Sequence, residues 1–338
     1  MNNDFLISIC IPSYNRPKEL TRLLESIHNK HKQLVQIIIC EDMAPKRQEI
    51  RLVVDNFKNS TSYNVKYSEN IENLGHGGNF RECIKKADGE FIIFMGDDDM
   101  FIPETLDDYC LFLQENRHCG YILRSSRQLL KNGKYEYFRY FSEDKYFDPG
   151  VDAYIQLFLK SVFMSGFTIK RTLVKDINID SLDDTLLFQL YLLAEVCLHY
   201  PTAYCNTPFV QGVGDGVSFF GTNEKEKELY TPGIMVTNNI NFILGFFKIT
   251  TFVDKKYKIN TTEMIKTEMS KYSYSLMSME RNFGRKQFKE HSRKLRKIGL
   301  DKTIHFDLYY FGLLIFGDKF CRQIILLIKK VFKRRLKL

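Results

Sequence analysis

An apolar run, Phe91-Ile92-Ile93-Phe94-Met95, is followed by one glycine and then by three aspartates, Asp97, Asp98 and Asp99. Five uninterrupted apolar residues predict a short strand buried on both faces, as in an open sheet covered by helices. Carboxylates released together at the end of such a strand repel one another and are driven toward protonation unless a cation or donor network holds them. Oxygen ligands at i and i+2 suit a hard divalent ion, Mn²⁺ or Mg²⁺, which takes one or two carboxylates and completes its shell with water and phosphate oxygens. The alternative is a solvated turn capping a helix that begins near Pro103-Glu104, because Asp is common at helix starts.

Through residue 125 the chain repeats this alternation of strand and amphipathic helix. Strands are predicted over 5–11, 35–40, 65–68 and 91–95, and helices over 17–29, 49–57 and 78–87, the first presenting Leu20, Leu23, Leu24 and Ile27 on one face. The expected fold is α/β, a mostly parallel Rossmann-like sheet flanked by helices, with ligands beyond the carboxyl ends of the strands, where Pro12, Asp42 and Asp97 emerge. Farther on, residues 127–141 read as a hairpin turning at Asn132-Gly133, residues 182–199 as an apolar helix opening with Asp183 and Asp184, and residues 207–222 as a glycine-rich loop. From residue 223 the pattern is helical, with breaks near Thr251, Phe283 and Gly299. The expected organisation is a domain over 1–222, in halves 1–125 and 126–222, then a helical region over 223–318 and a basic amphipathic helix over 319–338.

Charge argues for one anionic surface rather than a general polyanion partner. The formal charge is +8, and residues 319–338 carry eight lysines and arginines with no acid, so the other 318 residues sum to zero. In that tail Phe320, Ile324, Leu327, Ile328, Val331 and Phe332 share one side of a helical wheel, with Arg322, Lys329, Lys333 and Lys337 largely opposite. A helix lying in a membrane interface has this pattern. A helix docked on its own domain is one alternative; a nucleic-acid tail is the other, and the neutral body argues against nucleic acid. Residues 308–316 are too few to cross a bilayer. The amino terminus lacks a basic cluster and long apolar segment, so the expected location is cytoplasmic, peripheral on the inner face of the cell membrane. Eight scattered cysteines without a C-x-x-C pair read as reduced and structural.

Four pieces fall on one edge of the expected sheet: Ile11-Pro12-Ser13-Tyr14-Asn15-Arg16, Glu41-Asp42, Asn73-Leu74-Gly75 with Gly78-Asn79, and Gly96-Asp97-Asp98-Asp99. In this order they closely resemble glycosyltransferase family 2, over roughly 5–125 firmly and 160–220 loosely. The resemblance implies a GT-A fold and an inverting, metal-dependent transfer of sugar from a nucleotide diphosphate donor, a UDP-sugar, to a lipid-linked saccharide acceptor in capsule or O-antigen synthesis. It implies that Pro12, Ser13, Tyr14, Asn15 and Arg16 run along the nucleotide and that Asp42 accepts a hydrogen bond from the base. Asn73, Gly75 and Asn79 match the family's loop before the helix. Asp97 would face ribose or metal-bound water, Asp99 would ligate the metal, and Asp98 would orient donor hydroxyls. The general base is expected at Asp183-Asp184, with Gln189 at helical spacing, and alignment favours Asp184.

Several of these residues also read as plain structure. Asp42 fits a turn or cap, the 73–79 segment a tight turn with an Asn cap, Asp183 a helix cap, Glu195 a salt-bridged surface group and His199 a capping or packed residue rather than a further metal ligand. Ser165-Gly166-Phe167 matches a stretch near the acceptor, and residues 212–218 either close over the donor or simply connect. Glu41 replaces the family's usual first Asp, and Met43-Ala44-Pro45 stands where small polar residues are usual. A dinucleotide dehydrogenase is excluded because Pro12–Pro17 contains no glycine, and a P-loop enzyme because Gly75-His76-Gly77-Gly78 lacks the lysine. A catalytically inactive membrane-associated scaffold is the non-enzymatic alternative. The helical final third offers a surface for homo-oligomer pairing.

Overall fold

A computed structural model describes residues 5–130, 132–215, 219, 224–227, 230 and 240–332. They fall into two compact units, Met1–Ile234 and Met235–Leu338.

The first unit begins with β1 (Ile7–Ser13), α1 (Pro17–Glu25), β2 (Val35–Glu41), α2 (Arg47–Ser60), β3 (Asn64–Glu69), α3 (Gly75–Lys86) and β4 (Phe91–Phe94). β1 pairs in parallel with β2 and β4, and β2 with β3. Every residue of β2 and β4 is buried, which accounts for their continuous apolar runs. Ile9, Ile11, Ile37, Ile39 and Ile93 pack with Leu20, Leu24, Ile50 and Val54 of α1 and α2. On the alternate side-chain set, the Phe80 ring of α3 stacks on Phe94 with centroids 3.6 Å apart.

The chain continues through β5 (Met100–Phe101), α4 (Leu106–Glu115), β6 (Tyr121–Leu129), β7 (Tyr135–Phe138), β8 (Lys145–Phe147), α5 (Val151–Phe158), β9 (Phe167–Lys170), α6 (Phe188–Cys197), β10 (Thr202–Gly212) and α7 (Glu224–Lys227). The sheet order is β3-β2-β1-β4-β9-β6-β10-β5, with β7 on β6 and β8 on β10. β9 enters antiparallel between β4 and β6, so the sheet is mixed beyond its parallel half. The β6–β7 hairpin turns at Gly133, whose φ of +76° is the left-handed conformation expected of that glycine.

Two local expectations are corrected in the first unit. The stretch beginning at Thr207 is not loop as far as Gly212: β10 carries on past bulges at Pro208 because Phe209 and Val210 are buried there. Its remainder is described only at 213–215 and 219, and residues 216–218 of the proposed closing loop lie outside the described residues. Asp183 and Asp184 do not open α6 but sit on a separate 3-10 turn, Asp183–Thr185, cut from the helix by Leu186 at φ +57°.

The second unit contains α8 (Ile240–Tyr257), α9 (Thr261–Lys271), α10 (Tyr274–Asn282), α11 (Arg285–Lys297) and α12 (Ile304–Phe332). α8 runs through Thr251 without the expected break; the chain turns later, beside Lys258 at φ +55°. The breaks at Phe283 and Gly299 occur as read. Gly317, at φ +78° and ψ +171°, interrupts α12 with a kink. Among the described residues no helix is long and apolar enough to cross a membrane. All eight cysteines are free, and seven of them are buried.

Candidate active site

Parallel pairing brings the carboxyl ends of β1, β2 and β4 to one edge. Asp42 N–H donates to Ser13 O at 3.1 Å, Asn70 N–H to Glu41 O at 2.8 Å and Met95 N–H to Cys10 O at 3.0 Å. The three chain exits are therefore locked side by side, and each carries an acidic or turn-forming segment.

The turn after β1 folds onto the triplet. Asn15 takes φ +61°, which asparagine tolerates better than most residues, and Pro17 opens α1. Tyr14 N–H donates to Asp97 Oδ2 at 3.0 Å and Arg16 Nη1 to Asp97 Oδ1 at 2.7 Å. Arg16 Nη2 lies 3.5 Å from Asp98 Oδ2. Asp97 is 2 % exposed, and burial pushes its carboxyl up to about 6 despite the Arg16 charge. Ser13 Oγ is buried and has no hydrogen-bond partner among the described residues.

Asp99 is also buried, and its neighbours differ. Ser165 Oγ donates to Asp99 Oδ2 and accepts from Gly96 N–H at 2.8 Å. Burial first, then the charge of Asp98, holds the Asp99 carboxyl well above the usual carboxylate range. Ser165, expected near the acceptor, thus supports the triplet itself. The carbonyls of Ser165 and Phe167 accept from Arg124 Nη2 at 2.7 and 3.0 Å, which fixes the 3-10 turn Met164–Gly166. Arg124 is wholly buried, and nothing in the sequence of β6 marks it as a support for the triplet.

Asp42 takes the cap-like role left open above. Its Oδ1 accepts Leu74 N–H at 2.9 Å and Asn70 Nδ2 at 2.8 Å, and its Oδ2 accepts Gly75 N–H at 2.9 Å. A carboxylate borrowed from the end of β2 thereby satisfies the first amides of α3. Burial still raises it to about 6. Asn73 Oδ1 accepts Gly75 N–H at 3.0 Å with Gly75 at φ +75°, and Asn79 Nδ2 donates to Cys40 O at 2.9 Å. The 73–79 residues are therefore built into the turn and its anchorage on β2. Glu41, fully buried, is paired with Arg47 and accepts Met43 N–H at 3.2 Å, which braces the unusual Met43-Ala44-Pro45 segment.

The two candidate bases are sharply distinguished. Asp183 is 4 % exposed and held by both terminal nitrogens of Arg81. Arg81 Nη1 also donates to Ile179 O at 2.9 Å. Gly77 touches the same carboxylate: a Cβ there would come within 2.6 Å of Asp183 Oδ1 and 2.9 Å of its Cα. Asp184, next on the turn, is half-buried. Gln189, expected to accompany the acidic pair, instead donates to Val162 O at 2.9 Å. Two contacts absent from the sequence reading brace this corner, Glu226 Oε1 accepting His76 N–H at 2.9 Å and Tyr230 OH donating to Thr185 O at 3.3 Å.

His199 is not brought to this edge. It is exposed after α6, before the amino end of β10, whereas Val210 and Gln211 at the other end of β10 pair with β5 just past the triplet. Asp215 and Phe219 do reach the edge. Arg22 Nη1 donates to Asp215 Oδ2 at 2.7 Å while its Nη2 donates to Asp98 O at 2.7 Å. Phe219 lies 5.6 Å from the Tyr14 ring and 5.4 Å from the Arg16 guanidinium. Among the described residues no group of three or more His, Cys, Asp or Glu side chains forms a metal cluster. The donor set of Asp97 and Asp99 is oxygen-only, desolvated and held at i and i+2, which suits a hard cation that shares its shell with phosphate and water.

Residues 8–171 match the glycosyl transferase family 2 model. The abequosyltransferase RfbV of Salmonella typhimurium is 34% identical over 101 residues, 30% of this chain and 30% of that protein. The GalNAc(5)-diNAcBac-PP-undecaprenol beta-1,3-glucosyltransferase of Campylobacter jejuni is 29% identical over 101 residues, 30% of this chain and 32% of that protein. The crystal structure of Staphylococcus aureus TarS 1-349 in complex with UDP-GlcNAc superposes with a TM-score of 0.55 at 14% identity, covering 94% of this chain and 91% of that one. The sequence matches to RfbV and to the Campylobacter enzyme span less than a third of either protein's length. The likeness to TarS is one of fold, and with it the expected GT-A class of sheet and helices is met.

Proposed function

We infer the activity of a chain that belongs, through residues 8–171, to glycosyl transferase family 2: transfer of one sugar, with inversion, from a nucleoside diphosphate donor to a lipid-linked saccharide. The observation that carries this reading is the acidic triplet after β4. Two of its carboxylates are buried, and the β1 turn, Arg16 and Ser165 hold them at the edge where β1 and β2 also end.

The roles follow from position and charge. The 12–16 turn lines the nucleotide, and Asp42 with the 73–79 turn bounds the base. Asp99, with Asp97, would hold Mn²⁺ or Mg²⁺, which supplies neutralisation of the charge that grows on the departing diphosphate. Asp98 orients donor hydroxyls. Asp184 removes the proton from the acceptor hydroxyl as that oxygen attacks the anomeric carbon from the face opposite the leaving group. Asp183 is unsuited to this because Arg81 neutralises it; the pair instead fixes the turn that presents Asp184.

A UDP-sugar is the donor we propose, because TarS has been crystallised with UDP and with UDP-GlcNAc. A lipid-linked acceptor is supported by the undecaprenol named for the Campylobacter relative and by the basic tail over 319–338, whose residues 333–338 lie outside the described residues. That tail would hold the protein on the inner membrane face, and the synthesis served would be of a surface polysaccharide such as capsule or O-antigen. Hydrolysis of a panel of nucleotide sugars without acceptor, with and without manganese, tests the reading. Manganese-dependent release of nucleoside diphosphate from one donor is the expected result; no turnover and no binding of any nucleotide would overturn it in favour of an inactive scaffold.

A further inference from the structure

We propose that the first half of α12, residues 304–316, is itself a lipid-contacting surface, by which the helical unit lies on an anionic bilayer independently of the terminal basic segment. The proposal rests on the membrane-face reading above for its partner and on separate residues for its surface.

The helix is apolar on two opposite sides. Phe306 and Leu313 are fully buried, with Tyr310 stacked on Phe288 of α11 at 5.4 Å and Arg296 over the Phe306 ring at 4.8 Å. That side is the packing face of the unit. Ile304, Leu308, Phe311 and Ile315 recur four, three and four residues apart, on the side facing away from Phe306 and Leu313, and they are 70, 61, 54 and 61 % exposed. Phe316, 59 % exposed, flanks the stripe just before the Gly317 kink. A docked surface helix has no physical need for an outer stripe of large apolar groups in water, and contiguous patches of this kind mark surfaces that meet a partner or a membrane.

Charge selects the partner. Without the terminal basic segment, residues 235–318 contain 15 lysines and arginines against 8 acidic residues, a net charge of +7. Arg285, Lys286, Lys289, Arg293, Lys294 and Lys297 of α11 are all exposed. A second copy of residues 235–318 would bring +7 against +7, whereas an anionic leaflet accepts the apolar side chains and attracts the region's net positive charge.

The chain contains no tryptophan, so Phe311→Trp in the full-length protein places a single fluorophore in the stripe. Added to vesicles of phosphatidylcholine with phosphatidylglycerol, it should shift to the blue and be quenched by brominated acyl chains, and pure phosphatidylcholine should produce less of both. Leu308→Asp with Phe311→Asp, both more than half exposed and with only the edge contact of Phe311 on the Tyr310 ring to lose among the ring contacts, should lower partition onto the anionic vesicles by about tenfold with the tail intact. An unshifted fluorophore, or undiminished partition of the double aspartate variant, overturns the proposal. Loss of a wild-type dimer in light scattering by that variant, with vesicle binding unchanged, also overturns it and assigns the stripe to self-pairing. Deleting 319–338 separates this outcome from failure of the membrane reading: if the deletion abolishes binding while the stripe variant retains it, the stripe fails and the tail stands; if neither changes partition, both fail.

Discussion

The strand edge of the first unit and the helices of the second use charge in opposite ways. Met1–Ile234 has 26 basic and 33 acidic residues, a net of −7, and the carboxylates that matter are few, buried and individually pinned: Asp97 by Tyr14 and Arg16, Asp99 by Ser165, Asp42 by α3, Asp183 by Arg81. The second unit carries +15, and most of its bases among the described residues are exposed. Low-dielectric surroundings make each buried charge specific and costly to misplace, whereas exposed charges act through their sum and are screened by salt. A function located at the edge should therefore fail on one substitution, and one located on the helices should fade with several.

The largest effect tests the first half of that contrast. Asp99→Asn removes a carboxyl ligand with little change of shape, and sugar transfer should fall by about 100-fold or more, the several kcal/mol that metal-assisted charge stabilisation supplies. Far-ultraviolet circular dichroism should stay unchanged, and activity should lose its manganese dependence. Asp184→Asn comes next: calorimetry should show nucleotide binding kept while transfer to acceptor stops, and normal transfer would return the proton acceptor to another group. Arg81→Met leaves Asp183 buried and uncompensated, at a cost of about 3 kcal/mol or more in urea unfolding. Arg81→Lys should recover part of both stability and kcat, with KM for donor nearly unmoved, because the pair acts on the turn and not on the nucleotide.

Two smaller effects sharpen the comparison. The folded protein holds a proton on Asp42 up to about pH 6, while the unfolded chain releases it near 3.8. The folded state thus binds more protons in that window, so Asp42's share of the unfolding free energy declines as pH rises from about 4 to about 6. Asp42→Asn, having no such proton, should flatten that part of the slope in urea titrations at stepped pH. On the helices, neutralising Lys319 or Arg322 alone should weaken vesicle binding by about fivefold, on the order of 1 kcal/mol each, and by less at high salt.

The parallel half of the fold and the acidic edge were legible because they depend on local pattern. Runs such as Ile37-Ile38-Ile39 and Phe91–Phe94 are apolar since both faces are covered, and a β-α alternation leaves little freedom in where their ends emerge. What escaped was non-local. The antiparallel entry of β9 between β4 and β6 leaves no mark in Phe167–Lys170. β10 passes Pro208 because bulges absorb it, which a sequence rule reads as an end. The positive φ at Leu186 separates the Asp183 turn from α6, and no residue type announces it, leucine being unfavourable there. Ser165, Arg81 and Arg124 act on carboxylates or carbonyls from 41 to 102 positions away, so their roles exist only once the sheet has formed.

The first turn of α3 is fastened at two points, with its leading amides on Asp42 and its Gly77 backbone pressed against Asp183. In mechanical language it is a spacer bar whose length is set by main chain rather than by adjustable side chains. On the proposed roles, the gap between where a nucleobase would rest and where the proton acceptor would wait is then a fixed gauge. Pocket walls elsewhere can drift to suit one hexose or another without that calibration being lost, while a single methyl added at Gly77 would reset it.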